Sequence, residues 1–344
     1  MLRSVLSPIL IPLSWIYGLI VWCRNYCYDV GIYKSRSFRV PIISVGNITT
    51  GGSGKTPLVM FLAQEILKMG KTPGIVSRGY GRASKGLVLV HDGSKLLTDV
   101  ESAGDEPFLM ASVLKRVPIA VCENRSNAVE HLISSYQIDM IIMDDGFQHR
   151  KVKRDVDILT LSANDQTADY HLLPWGKLRE PIKNLHRADR VVVTKTDNFT
   201  PPKILSLLNP FFQNDPIFSI ENCTLMKYAE DGYNKSLPID KEVFAFCGIG
   251  EPDSFLKALS QLQIRLGGKR IFRDHQPYSP TVINELSAQI KSTGCAVIIT
   301  TEKDLVKLPD SFLDMFEVYV VKLEVEFEDN DVLQELVLPF INSL

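Results

Sequence analysis

A chain of 344 residues is long enough for two domains with separate cores, and its 45% hydrophobic and 23% charged residues exclude a disordered or low-complexity protein. The formal net charge of −2 gives no global electrostatic reason to expect a nucleic-acid partner. Cys23, Cys27, Cys122, Cys223, Cys247 and Cys295 form no Cys-x-x-Cys pair, which argues against zinc or disulfides and for a reducing compartment.

The first predicted element is apolar. Ser4 to Cys23, between Arg3 and Arg24, are twenty residues without a charge, fourteen of them apolar, about the length that crosses a bilayer core. Pro8 and Pro12 disturb its first half, and Trp15, Tyr17 and Trp22 are residues that favour a membrane interface. Ser4, Ser7, Ser14 and Gly18 give one small face, suited to packing against another surface. No A-x-A-like site supports a cleaved signal peptide; a core helix of a soluble enzyme is the remaining alternative to a membrane anchor. Arg24, Lys34, Arg36 and Arg39 follow, placing the body on the cytoplasmic side if the segment inserts. Spanning the bilayer and lying in its interface are both open.

Strand Val40–Val45 then runs into a glycine-rich loop and helix Pro57–Met69. Strands are predicted at Pro73–Ser77, Leu87–His91, Ile119–Cys122, Met140–Met143, Val156–Leu161 and Arg190–Thr194, with helices at Glu106–Lys115 and Asn124–Tyr136. Prolines, asparagines and a Phe-Phe pair break the rhythm at residues 201–215. Beyond lie strand Val243–Cys247, helix Asp253–Leu262, the run Arg270–Phe272, helix Pro280–Ser292, strands Ala296–Thr300 and Val318–Leu323, and a helix over 332–344. The alternation predicts an α/β chain: a P-loop NTPase-like parallel-sheet domain over 39–215, a second, smaller α/β domain over 216–344, and an N-terminal hydrophobic helix with its connector over 1–38.

Two stretches carry the chemistry. A strand that breaks at Thr49-Thr50-Gly51-Gly52-Ser53-Gly54-Lys55-Thr56 and restarts as a helix aims backbone N–H groups and a helix dipole at one point. That is a phosphate cradle, with Lys55 for the β/γ-phosphates and the Thr56 hydroxyl for Mg²⁺; Thr49 stands where the strict pattern has glycine. The apolar run Met140–Met143 ends in Asp144-Asp145, paired carboxylates that oppose each other's ionisation unless a cation sits between them. Together they indicate ATP or GTP with magnesium. Gly104-Asp105-Glu106-Pro107 reads as a helix N-terminus with acidic residues favourable to the dipole, or as the proton acceptor of an attacking hydroxyl. Asp274-His275 is a second candidate proton acceptor, and loops 77–82 and 172–181 bring arginines suited to phosphate.

In this order GNITTGGSGKTP, SRGYGR, GDEP, DDGFQHRKVKRD, LLPWGKLREP, RDHQPY and TEKD resemble the tetraacyldisaccharide 4′-kinase family, the lipid A 4′-kinases of Gram-negative bacteria. The resemblance runs from the hydrophobic segment to about residue 310 and offers no motif for the 304–344 tail. It implies an enzyme moving the ATP γ-phosphate, with Mg²⁺, to the 4′-hydroxyl of an acylated glucosamine disaccharide 1-phosphate at the cytoplasmic face of the inner membrane. No nucleic acid or obligate protein partner is expected. It further implies Asp144 and Asp145 in the metal site with Thr56, and Asp105 as proton acceptor with His275, supported by Asp274. Arg78, Tyr80, Glu106, Gln148, His149, Arg179 and Glu180 become substrate or nucleotide contacts. A GTP-driven switch or metallochaperone-type protein is the rival, since Thr194-Lys195-Thr196-Asp197 faintly echoes a guanine-reading loop; an ATP-dependent transport or partition protein is a second.

Overall fold

Helix α1 (Leu2–Asp29) shows two faces. Ser14, Val21 and Asn25 are buried against the body, whereas Ile9, Trp15, Ile16, Leu19 and Ile20 are each more than half exposed. Ser14 and Gly18 of the small face serve that docking: Ser14 donates to the Leu172 carbonyl, and a Cβ on Gly18 would stand 2.8 Å from the Leu172 side chain. The coordinates are a computed structural model, which describes residues 2–329 except 201, 204, 213, 230–231 and 236–240, together with 332 and 336. The helix expected over 332–344 lies, but for 332 and 336, outside the described residues.

In chain order follow β1 (Ile42–Asn47), α2 (Lys55–Lys68), β2 (Pro73–Ser77), β3 (Val88–Asp92), α3 (Val100–Ala103), α4 (Asp105–Val113), β4 (Pro118–Val121), α5 (Arg125–Ser135), β5 (Met140–Asp144), β6 (Val156–Ser162) and β7 (Arg190–Thr194). The second half holds α6 (Leu205–Leu208), β8 (Ile217–Ala229), β9 (Gly232–Lys235), β10 (Val243–Cys247), α7 (Pro252–Gln261), β11 (Leu266–Ile271), α8 (Pro280–Thr293), β12 (Val297–Thr301), α9 (Glu302–Leu305), α10 (Asp310–Leu313) and β13 (Glu317–Phe327). The strands pair in the order β11-β10-β12-β13-β8-β7-β6-β1-β5-β2-β4-β3, with β9 on β8.

Strands β1, β2, β5, β6 and β10 are buried along their whole length, which matches their mostly apolar sequences and parallel neighbours. Helix α2 covers one face of the first sheet with Leu58, Val59, Leu62 and Ala63 at zero exposure. Each of the larger side chains contributes about 2 kcal/mol of burial. Helix α5 covers the other face through Ala128, Val129 and Leu132.

The sheet departs from the expected parallel one at three pairs: β3 runs antiparallel to β4, and β8 antiparallel to both β13 and β9. Strand β8 was not anticipated, and it joins the halves. Ile217 and Phe218 pair in parallel with β7, and Ser219–Lys227 then pair with β13. Its mixed apolar and polar sequence leaves it half-buried, so neither periodicity nor composition marks it. The boundary expected after residue 215 falls at the entrance to this shared strand.

Candidate active site

The phosphate loop is held from three sides. Ser53 Oγ lies 2.8 Å from Thr160 Oγ1 at the end of β6, and Thr194 Oγ1 at the end of β7 donates to the Ser53 carbonyl at 3.1 Å. The third side is the 172–181 loop: Thr50 N donates to the Lys177 carbonyl and Arg179 N to that of Ile48, both at 2.8 Å. That pairing aims Arg179 inward, where its guanidinium grips both oxygens of Asp145 at 2.7 and 3.0 Å. Lys55, the first residue of α2, points its ammonium at the same carboxylate from 3.7 Å.

Asp144 and Asp145 lie side by side with opposite electrostatics. Burial raises the Asp145 carboxyl, but the Arg179 hydrogen bonds and the charges of Lys55, Arg179 and Arg125 outweigh it and hold the group down at about 2. Asp144 is pushed up to about 7, first by burial and then by Glu106 and Asp145, against the opposing Ser77 hydroxyl and Lys55. Its Oδ2 accepts from Ser77 at 2.8 Å, while its buried Oδ1 has no partner among the described residues. Such an oxygen is stable as a carboxylate only beside a cation. A divalent ion therefore fits at Asp144, where it would be held together with a nucleotide's phosphates, the manner in which magnesium is usually bound; Thr56, expected to share it, stands in the first turn of α2.

The second cluster surrounds Asp105, at the start of α4. Gly79 and Gly104, at φ of +67° and +89°, meet back to back; a Cβ on Gly104 would come within 3.0 Å of the Tyr80 carbonyl. This contact sets the 77–82 loop against Asp105. From the second half, His275 Nδ1 reaches Asp105 Oδ2 at 3.1 Å and Lys307 Nζ the same oxygen at 3.3 Å. Asp274 accepts from the His275 backbone N–H at 2.9 Å, and Lys303 Nζ stands 3.4 Å from Nε2. The Tyr80 ring lies 5.4 Å from the imidazole. A further tie crosses the halves: Lys195 Nζ donates to the Gly52 carbonyl at 2.7 Å and to Glu251 at 2.8 Å.

A family model described as Tetraacyldisaccharide-1-P 4′-kinase matches residues 6–342. The chain belongs to the tetraacyldisaccharide 4′-kinase family. A relative named tetraacyldisaccharide 4′-kinase from Chlorobium limicola is 34% identical over 352 residues, covering 100% of this chain and 99% of its own. One from Aquifex aeolicus is 37% identical over 341 residues, 98% of each chain. A crystal structure described as the "apo" form of LpxK from Aquifex aeolicus in complex with ATP matches with a TM-score of 0.79. It is 35% identical and covers 99% of this chain and 100% of that one. The switch and transport readings are set aside.

In this kinase the remaining expected residues are distributed unevenly. Gln148 donates to the Asn47 carbonyl at 2.8 Å behind the phosphate loop. His149 is pulled down to about 3 by burial and then by Arg125, and so is neutral at any working pH. Arg78 and Tyr80 are exposed at the site's edge. Glu180, expected against substrate, is instead fully buried: Arg24, Arg187, Asn25 and Asn184 all donate to it. Its side chain fastens α1 to the body. Sequence reasoning missed Arg125, which donates to the Asp145 carbonyl at 3.2 Å, and Lys307. Neither stands in a motif that distinguishes it from a surface cation.

Proposed function

We propose that Asp105, held by His275, accepts the hydroxyl proton as this kinase moves the γ-phosphate of ATP to the 4′-hydroxyl of a tetraacyldisaccharide 1-phosphate in lipid A biosynthesis. The observation that carries the residue roles is the 3.1 Å contact between His275 Nδ1 and Asp105 Oδ2. The neighbouring Glu106 is near enough to Asp144 to raise its carboxyl, so Asp105 stands beside the phosphate end of the site. Phosphoryl transfer passes through a loose transition state in which positioning and charge neutralisation do most of the work. Loop amides of Gly51–Lys55, the Lys55 ammonium and Arg179 would neutralise the triphosphate, and magnesium held at Asp144 would supply further positive charge. Asp105 is an acid of low pKa and a weak base, so it takes the proton late, once the oxygen has begun to bond phosphorus.

The outer face of α1 supports action at a membrane. Its exposed Trp15, Ile16, Leu19 and Ile20 suit the acyl boundary, while Ser14 donates to the Leu172 carbonyl at 3.0 Å and Tyr17 to that of Arg179 at 2.7 Å. A helix so fastened between Ser14 and Asn25 lies in the interface with its outer face in lipid, at the cytoplasmic face of the inner membrane where ATP is available. The test is to incubate the pure protein with γ-labelled ATP and the disaccharide lipid and locate the label. Label on the sugar 4′-oxygen is expected from wild type and almost none from Asp105→Ala. Equal product from Asp105→Ala would remove Asp105 from this role.

A further inference from the structure

Lys307 follows α9 in the stretch for which no motif supplies a role. Its side chain is 6% exposed, and its ammonium lies between two carboxylates, Asp105 Oδ2 at 3.3 Å and Asp304 Oδ1 at 3.1 Å. Asp304 is at zero exposure and already has three donors: Thr301 Oγ1 and Gly248 N at 2.8 Å on one oxygen, and Tyr278 OH at 3.0 Å on the other. These come from the ends of β12 and β10 and from the His275 loop, so Asp304 is a rigid post in the second half. Its own negative charge is met by Lys307, whose ammonium also lies 5.3 Å from the centroid of the Tyr278 ring. One cation thus spans the gap between the post and the carboxylate opposite.

We propose that Lys307 is a positioning residue of the phosphoryl transfer, which clamps Asp105 to the Asp304 post and so sets the proton acceptor against His275 across the two halves. The inference rests on the reading of Asp105 as that acceptor. Lys307 and His275 both contact Oδ2, which orients the carboxylate and turns Oδ1 toward the acceptor hydroxyl. The ammonium also adds a fixed positive charge that favours the ionised acceptor. The charged and titratable groups facing Asp105 are His275, Asp274 and Tyr278 from their loop, Lys303 and Asp304 from α9, Glu106 on α4, and Lys307 itself. Removing one cation from this set raises the pKa of every neighbour, acid or base, so the direction of the shift does not depend on which of them limits the rate at low pH.

The experiment measures kcat and KM of the full-length enzyme on ATP and tetraacyldisaccharide 1-phosphate across pH, for wild type, Lys307→Met, Lys307→Arg and Asp105→Ala. Lys307→Met is expected to lower kcat by about 30-fold or more, with KM for ATP within about threefold, since it disturbs proton transfer and not the phosphate loop. Its acid limb moves to higher pH, and Lys307→Arg, which keeps the charge, recovers most of the rate. A kcat within threefold of wild type, or a loss that follows the folded fraction with the acid limb unmoved, overturns the proposal. Lys307→Gln, neutral but still a donor to Asp304, serves should the methionine variant not fold. Melting of both below the assay temperature would show a purely structural ion pair and also overturn it. Near-normal turnover by Asp105→Ala would instead sink the underlying reading, whatever Lys307 does.

Discussion

The phosphate-loop cluster and the Asp105 cluster are built in opposite ways. Lys55, Thr56, Asp144 and Asp145 stand at the carboxyl ends of β1 and β5, adjacent parallel strands with Val45 in register with Asp144. Ordinary sheet pairing is enough to bring them together. Asp105 and His275 are 170 residues apart, and Lys307 comes from a third segment; they meet only because β8 and β13 set the second half against α4. The first cluster is therefore complete within one half of the sheet, and the second depends on how the halves sit. The phosphate loop thus draws its residues from one half, and the proton-acceptor cluster draws on both.

The sharpest way to break that comparison is to remove each cluster's central residue. Asp105→Ala and His275→Ala should each lower kcat by roughly 10²–10⁴ while leaving ATP binding nearly intact, the scale of lost acid–base catalysis. Lys55→Ala should raise KM for ATP as well as lower kcat, because its charge meets phosphate before and during transfer. Steady-state kinetics on the three variants decides it. Identical profiles for all three would mean that the two clusters form one unit.

The next largest effect concerns where the kinase works. Replacing Trp15, Ile16, Leu19 and Ile20 together by serine strips the outer face of α1 and spares the inner contacts. Each buried side chain is worth about 2 kcal/mol, so vesicle association should fall by at least about 10²-fold, even with half of that realised. Vesicle flotation and nucleotide binding, measured side by side, check it. Retained flotation would place the membrane contact elsewhere.

How legible each cluster was follows from the same difference. The Gly54-Lys55-Thr56 loop and the Asp144-Asp145 pair are contiguous in sequence and follow apolar strands, so strand ends, phosphate and metal could be read from residues alone. Asp105 read alone as an ordinary helix N-terminus, and His275 as a loop histidine; only their company within a family's motifs joined them. Lys307, Arg125 and Glu251 could not be found, because whether a charge is solvated or buried in a site is a tertiary property. Glu180 misled for the same reason: it stands next to Arg179, which reaches the site, yet points the other way, into the hub under α1.

Arg179 tests the electrostatics of the first cluster. The folded-state pKa of Asp145 lies below its usual value, so its contribution to stability is complete above the unfolded carboxylate's range near 4 and is lost as pH falls toward 2. The displacement is worth on the order of 2 kcal/mol. Arg179→Ala leaves burial less opposed, and the acid-unfolding midpoint should rise by roughly one pH unit. Denaturation followed by circular dichroism from pH 7 to 2 measures it; an unmoved midpoint would mean that Lys55 and Arg125 suffice.

The smallest effect expected is at the second tie between the halves. Lys195 occupies a left-handed backbone conformation with φ of +60° and bridges the Gly52 carbonyl to Glu251. Glu251 is 36% exposed at its side chain, so solvent screens the pair and its worth is about 1 kcal/mol or less. Glu251→Gln should therefore raise KM for ATP by about two- to fivefold with kcat nearly unchanged, since it loosens the second half over the phosphate loop and leaves Asp105 and His275 in place. If kcat falls as far as in the Asp105 variant, the Lys195 tie and the proton acceptor act as one unit, and the division between the two clusters is one of sequence only.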